Sequence, residues 1–273
     1  MKQSKPLFSL AQLTVLNLTP PEIVSTAART GYDACGVRLL PAAPGGQAYR
    51  LMDDPAMLRE TLARMRDTGI TVFDLEIIRI DARFNAADYL GFFEVGQKLA
   101  AQCILVAGDD PDEARLTASY VTLCEAARPY GLSCDIEFMP WTKIPNLRDA
   151  QRIVTAAAQD NGGILIDALH FARSDSRLEE IAQLPRSWLH YAQMCDAPAE
   201  IPDTNEGLIR TARNERLLPG DGGIDLTALF SRLPSDLPVS VEIPNDVQCP
   251  AMGEEAWART ALLRTQALIG AIA

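Results

Sequence analysis

Three acids lie inside strongly apolar runs: Glu137 in Cys134-Asp135-Ile136-Glu137-Phe138, Asp167 in Ile164-Leu165-Ile166-Asp167-Ala168, and Glu242 in Val239-Ser240-Val241-Glu242-Ile243. A carboxylate in such surroundings must be paired, hydrogen-bonded or metal-bound. Acids brought within a few ångströms of each other repel strongly unless a cation neutralises them. The amide oxygen of Gln193 can supply a fourth donor. An all-oxygen set favours Mg²⁺ or Mn²⁺, with Co²⁺ and Zn²⁺ as alternatives. The competing reading pairs these acids with arginines, which are abundant here while lysines are scarce. Three acids at converging strand ends favour one divalent ion over that reading.

Two histidines are present, His170 and His190. His170 follows Asp167 by three residues, and a histidine beside a metal-bound carbonyl can move a proton at neutral pH. His190 opens a strand-like run at its N-terminal end and reads as a packing residue. Glu76 and Arg79 close an earlier apolar run, and Arg213 and Arg216 precede the turn Leu217-Leu218-Pro219-Gly220-Asp221-Gly222-Gly223. Arginine's planar donors suit a carboxylate, a phosphate or vicinal oxygens. Backbone amides of the glycine turn could assist. That turn is no nucleotide fingerprint, because it does not lead from a strand directly into a helix. The sequence holds no P-loop, GxSxG or HExxH motif.

These residues need a scaffold that brings strand ends together. Strand-like runs occur at 8–16, 34–40, 70–78, 103–107, 132–138, 163–168, 188–194 and 238–243. Helical patterns fall between them at 20–30, 55–67, 86–101, 111–130, 147–160, 177–183, 208–215 and 226–233, and a closing amphipathic helix covers 254–273. Thr19 before Pro20-Pro21-Glu22 reads as an N-cap, and Gly31 as a helix stop. Eight strand–helix units imply parallel strands with right-handed crossovers. In 273 residues they predict one α/β domain over 1–273, a (β/α)8 TIM barrel. Active-site residues of such a barrel belong at the C-terminal ends of its strands, where Glu137, Asp167, Gln193 and Glu242 fall.

A net charge of −11, from 36 acids against 25 bases, repels phosphate backbones and anionic lipid surfaces. Neither nucleic acid nor membrane is therefore expected as a partner. No uncharged apolar run reaches the roughly 18–20 residues of a membrane helix. The start, Met1-Lys2-Gln3-Ser4-Lys5-Pro6, is not followed by a signal-peptide core. The six cysteines are scattered, with no CxxC pair, and read as reduced thiols of a cytoplasmic protein. The apolar stretch near 261–269 reads as barrel packing rather than a dimer face, and homo-oligomerisation is left open.

The runs Ile136-Glu137-Phe138, Ile166-Asp167-Ala168-Leu169-His170, Gln193-Met194-Cys195-Asp196-Ala197-Pro198, Arg216-Leu217-Leu218-Pro219-Gly220-Asp221-Gly222 and Val241-Glu242-Ile243 resemble the signatures of the sugar phosphate isomerase/epimerase family, which has the xylose-isomerase-like barrel. The resemblance covers nearly the whole chain. It implies one divalent metal held by Glu137, Asp167, Gln193 and Glu242. Many sugar epimerases of the family carry histidine where Gln193 stands. The glutamine, with Asp196-Ala197-Pro198 and Ala212-Arg213-Asn214-Glu215-Arg216-Leu217-Leu218-Pro219-Gly220, is similar to bacterial 3-dehydroshikimate dehydratases. That likeness implies proton transfer at His170 and an acidic substrate held by Arg79 and Arg216. Arg38 stands where the family usually has glutamate.

The leading expectation is a metal-dependent isomerase or epimerase of a sugar or polyol. It would act by proton abstraction next to a polarised carbonyl, with Glu137 and Glu242 as the acid–base pair. The close alternative is a dehydratase of a cyclic keto acid, with His170 assisting loss of the β-hydroxyl. A non-catalytic sugar-binding barrel is a third reading. An endonuclease-like role fits poorly with two histidines and the strongly negative charge.

Overall fold

The computed structural model describes residues 5–272, so the sequence expectations for Met1 to Ser4 and for Ala273 lie outside the described residues. Eight strands close into a barrel in the order β1 to β8: Phe8–Leu10, Ala34–Arg38, Thr71–Ile80, Cys103–Gly108, Ser133–Glu137, Gly162–Asp167, Ala192–Met194 and Val239–Val241. Every neighbouring pair is parallel, including the closing pair β1–β8. The α-helices are α1 (Pro20–Thr30), α2 (Pro55–Thr68), α3 (Leu90–Lys98), α4 (Glu113–Ala127), α5 (Leu147–Ala157), α6 (Ala168–Arg173), α7 (Leu178–Ile181), α8 (Asn205–Asn214), α9 (Leu226–Phe230), α10 (Gln248–Met252) and α11 (Glu254–Ile272). The (β/α)8 expectation is met.

Local signals explain most boundaries. The Glu22 carboxylate accepts the Thr19 N–H at 2.8 Å and the Thr19 hydroxyl at 2.6 Å, which closes the first turn of α1. Gly31 ends that helix at φ +93°, a conformation that strains any residue with a Cβ. The apolar faces of strands and helices form the main core. α11 belongs to it: Trp257 is fully buried and donates its indole N–H to Ile243 O at 2.9 Å, just past β8. Ala261 and Leu262 are buried as well, in line with barrel packing.

Several elements differ from the sequence reading, among them α10, which it lacks, and β8, which stops at Val241. β1 ends at Leu10, and a 3₁₀ turn occupies Gln12–Val15. β7 is three residues long, so His190 precedes it rather than opening it. A short helix, α6, follows β6 immediately, with Asp167 as its N-cap. A six-residue helix is too short for its apolar period to register.

The barrel interior is unequal. Phe73, Cys103, Leu105, Met139, Leu165 and Tyr191 are among the residues of an apolar cluster separate from the main core. Ser9, Gln193 and Ser240, on β1, β7 and β8, are polar and have no solvent exposure. No helix of the described residues is long and apolar enough to cross a membrane. The six cysteines are unpaired.

Candidate metal centre and active site

Parallel register sets the site. Asp167 stands level with Gln193 across β6–β7, and Gln193 level with Ser240 across β7–β8. Side chains level on neighbouring strands share a face, so Asp167 and Gln193 both point into the barrel mouth. Glu242 sits one residue past β8, its N–H bonded to Met194 O. Glu137 closes β5. Glu137, Asp167 and Glu242 are nearly or wholly buried.

Arg216 bridges two of these acids. Its Nη1 lies 2.6 Å from Asp167 Oδ2, and its Nη2 lies 2.9 Å from Glu242 Oε2. It also donates to Ala212 O, Cys195 Sγ and Glu242 O. It is 2% exposed. Arg216, expected to grip substrate, instead braces two of the carboxylates. The arginine pairing weighed against a metal is therefore present, but one guanidinium cannot neutralise three acids. The two carboxyls that remain would, when ionised, carry the charge that a divalent cation cancels.

The protonation pattern agrees. Burial, with Glu242 and Asp167 beside it, pushes Glu137 well above the usual carboxylate range. Burial pushes Glu242 up to about 7 against the opposing pull of Arg216. Burial acts on Asp167 in the same sense, but Arg216 and His170 overcome it and hold that carboxyl below its ordinary value. Burial keeps the His170 imidazole neutral, lowering it to about 4.

His170 lies in the first turn of α6. Its backbone N–H donates to Asp167 Oδ1 at 2.9 Å, and its Nε2 is 3.7 Å from Glu137 Oε1. Glu137, Asp167 and His170 each offer a ligand atom within 4.8 Å of the others. Both amide atoms of Gln193 are buried without a hydrogen-bond partner. Such orphaned atoms are costly, and a cation on the amide oxygen removes part of that cost. The ligand atoms that the fold brings together are therefore those of Glu137, Asp167 and His170, with the unpartnered Gln193 amide level with Asp167; Glu242 is held on Arg216 and is not part of that close group among the described residues.

A small cavity of about 40 Å³ opens above the carboxylates, bordered by Arg38, Arg79, Trp141, His170 and Arg213. That is room for roughly three water centres, so an organic substrate needs the mouth side chains to shift. Arg38 is spent on Glu76, with Nη2–Oε2 at 2.5 Å. Glu76, expected at the substrate, is fully buried in that pair. Arg79 pairs with Asp109 and donates to Ala42 O. Arg213 makes no ion pair among the described residues, and burial together with Arg79 and Arg38 lowers its pKa. An anion is what that guanidinium lacks.

One further expectation changes. The glycine-turn amides do not face the cavity, because Gly220, Gly222 and Ile224 donate their N–H groups to the Asp196 carboxylate. Trp141 was not singled out in the sequence. Its ring stands edge-on to His170 at 5.1 Å, and its only sequence signal is its place four residues after Glu137. His190 bonds Asp135 at 2.6 Å, away from the mouth, as a packing residue would. A larger cavity of about 480 Å³, lined by Phe8, Leu233 and Ile269, holds none of these acids.

Known proteins resemble this chain along its length. A family model described as xylose isomerase-like TIM barrel matches residues 24–268. A 3-dehydroshikimate dehydratase of Pseudomonas aeruginosa is 32% identical over 158 residues, covering 56% of this chain and 24% of the relative. An inosose isomerase of Bacillus velezensis is 32% identical over 114 residues, covering 41% and 38%. Both matches span well under half of the relatives' own lengths. The solved structure of the IOLI protein with a binding zinc atom superposes with a TM-score of 0.81 at 20% identity, covering 98% of this chain and 99% of that one. At that identity the likeness speaks for the fold.

Proposed function

This chain belongs to the xylose isomerase-like TIM barrel family, and from that premise we propose that it is a divalent-metal-dependent enzyme that removes a proton beside the carbonyl of a small, polyhydroxylated, acidic substrate. The observation that carries the reading is the buried grouping of Glu137, Asp167 and His170, with Asp167 and Glu242 sharing one guanidinium and the Gln193 amide left unpartnered. The cation supplies Lewis-acid polarisation of the carbonyl oxygen when bound.

The chain's own groups do the rest. Glu137, Asp167, Gln193 and Glu242 hold the ion, and Arg216 keeps two of the carboxylates in place. His170, neutral at pH 7, is able to take a proton at Nε2. Trp141 limits the ring's movement and shields it from water. Arg213, with Arg79 beside it, binds the substrate's carboxylate.

An acid-binding arginine favours the dehydratase outcome on a cyclic keto acid of the 3-dehydroshikimate kind. There the C–H proton passes to His170, the β C–O bond breaks, and the hydroxyl leaves with a proton as water. A second reading, a sugar or polyol isomerase or epimerase, is supported by Glu137 and Glu242. Both border the cavity and both have raised pKa values, as a pair exchanging one proton across a substrate would need. Incubation with each substrate class in D₂O with Mn²⁺ separates them. Loss of water with a new aromatic absorbance supports the dehydratase, and solvent deuterium in recovered isomer supports the isomerase. Neither change across both classes contradicts the proposal.

A further inference from the structure

Beneath the carboxylates the barrel interior carries polar groups that no protein atom satisfies. The Ser9, Tyr191 and Ser240 hydroxyls, both Asp74 carboxyl oxygens and both Gln193 amide atoms are buried without a hydrogen-bond partner. All five residues have no solvent exposure. Native interiors leave few such groups, and ordered water is the usual partner where the space is polar.

Register places them along one arc of the wall. Ser9 is level with Ser240 across β1–β8, and Ser240 with Gln193 across β8–β7. Asp74 comes from β3 and leans over β2, its Oδ2 lying 2.7 Å from where a Cβ on Gly36 would be. Gly36 leaves that space open, so the carboxyl reaches toward β1. Strands β7, β8, β1 and β3 thus contribute polar groups to one zone, and β2 supplies the gap at Gly36. The charges acting on Asp74 are mostly acids, Glu76, Glu242 and Asp135, and only Arg38 opposes them.

A glutamine that ligates a cation must present Oε1 to it, which turns the NH₂ the other way. That NH₂ needs acceptors, and the unpartnered groups on this arc are the ones available. We propose that the interior beneath the carboxylates holds a cluster of ordered waters, and that Asp74 acts through it as a positioning residue, fixing Gln193 with its amide oxygen toward the cation. The inference rests on Gln193 being a ligand. Groups that orient a ligand in this way are commonly worth about 10–100-fold in metal affinity.

The test uses the full chain. A crystal structure at about atomic resolution should show waters bridging Asp74 and Gln193 Nε2. Calorimetric titration with Mn²⁺ should give a loss of about 10–100-fold for Asp74→Leu, little loss for Asp74→Asn, and an unchanged Tm of both variants in chelator. If Asp74→Leu fails to fold, Ser240→Ala replaces it and should weaken Mn²⁺ binding in the same direction. The inference falls if no water bridges the two residues. It falls equally if Asp74→Leu, or Ser240→Ala in its place, binds Mn²⁺ as the parent does while Gln193→Leu binds weakly. If Gln193→Leu also binds as the parent does, the ligand assignment itself is wrong, and the positioning role falls with it.

Discussion

Arg216 Nη1 lies 2.6 Å from Asp167 Oδ2 at the floor of the barrel mouth, and the same guanidinium reaches Glu242. This contact sets the charge balance of the site. It offsets one negative charge, fixes two carboxylates in one geometry, and leaves Glu137 without a cationic partner among the described residues. The proposed cation answers that remainder rather than any single acid.

Removing the guanidinium should therefore leave buried acids uncompensated. Arg216→Met is expected to cost about 3–5 kcal/mol of stability, the range for breaking a buried ion pair from one side. Saturating Mn²⁺ should recover part of the loss, because the ion takes over some of the neutralisation. Thermal unfolding with chelator and with Mn²⁺ measures both. Equal loss in the two conditions would show that Arg216 acts only in packing.

Glu242 predicts a pH signature with opposite signs in the two metal states. Its pKa is raised from 4.5 to about 7 in the folded chain. The folded state therefore holds a proton that the unfolded state releases, and stability from that proton is lost as pH rises through about 7. In chelator, the parent should lose Tm relative to Glu242→Gln between about pH 5 and 8. With Mn²⁺ the order should reverse, since a carboxylate binds the ion more strongly than a neutral amide. Apparent Mn²⁺ affinity should rise with pH by up to about tenfold per unit for each of the two carboxyls, Glu137 and Glu242, that must give up a proton.

His170 behaves in the opposite sense. Its pKa falls from 6.5 to about 4 on burial, so the unfolded chain takes up a proton that the folded chain refuses. Its contribution to stability is present above about 6.5 and is lost as pH falls toward about 4. His170→Gln should flatten that acid limb. It should lower kcat by about 10²–10⁴-fold with Mn²⁺ affinity retained. A matching fall in Mn²⁺ affinity would make His170 a ligand instead.

How much of this was legible varies with the physics. Glu137, Asp167 and Glu242 stood out because an acid in an apolar run is costly wherever it lies. The place of Gln193 level with Asp167 is legible because strand ends in a parallel barrel converge. The position of His170 was read correctly, but its helix was not, because Asp167 caps six residues whose period is too short to see. The role of Arg216 was hidden, since burial of an arginine next to a glycine turn leaves no local trace. The glycine turn misled for a related reason: its amides point to Asp196, a residue some two dozen positions earlier in the chain. Pairings between distant residues, such as Arg38 with Glu76, become visible only once the barrel is closed.

Arg213 should select for charge. Arg213→Gln is expected to raise KM for an acidic substrate by about 10–100-fold, the worth of a hydrogen bond to a charged group. Stability should change by no more than about 0.5 kcal/mol, since the side chain has no ion pair to lose. Steady-state kinetics on an acidic substrate and on a neutral polyol check this. Equal effects on both would remove Arg213 from substrate binding.

The central claim is that four oxygen donors from the last four strands share one divalent ion. Anomalous scattering from a Mn²⁺-soaked crystal of the full chain tests it most directly. The account predicts a single strong peak within bonding distance of Glu137, Asp167, Gln193 and Glu242. A mouth without a peak, its acids held by Arg216 and protons alone, would contradict it.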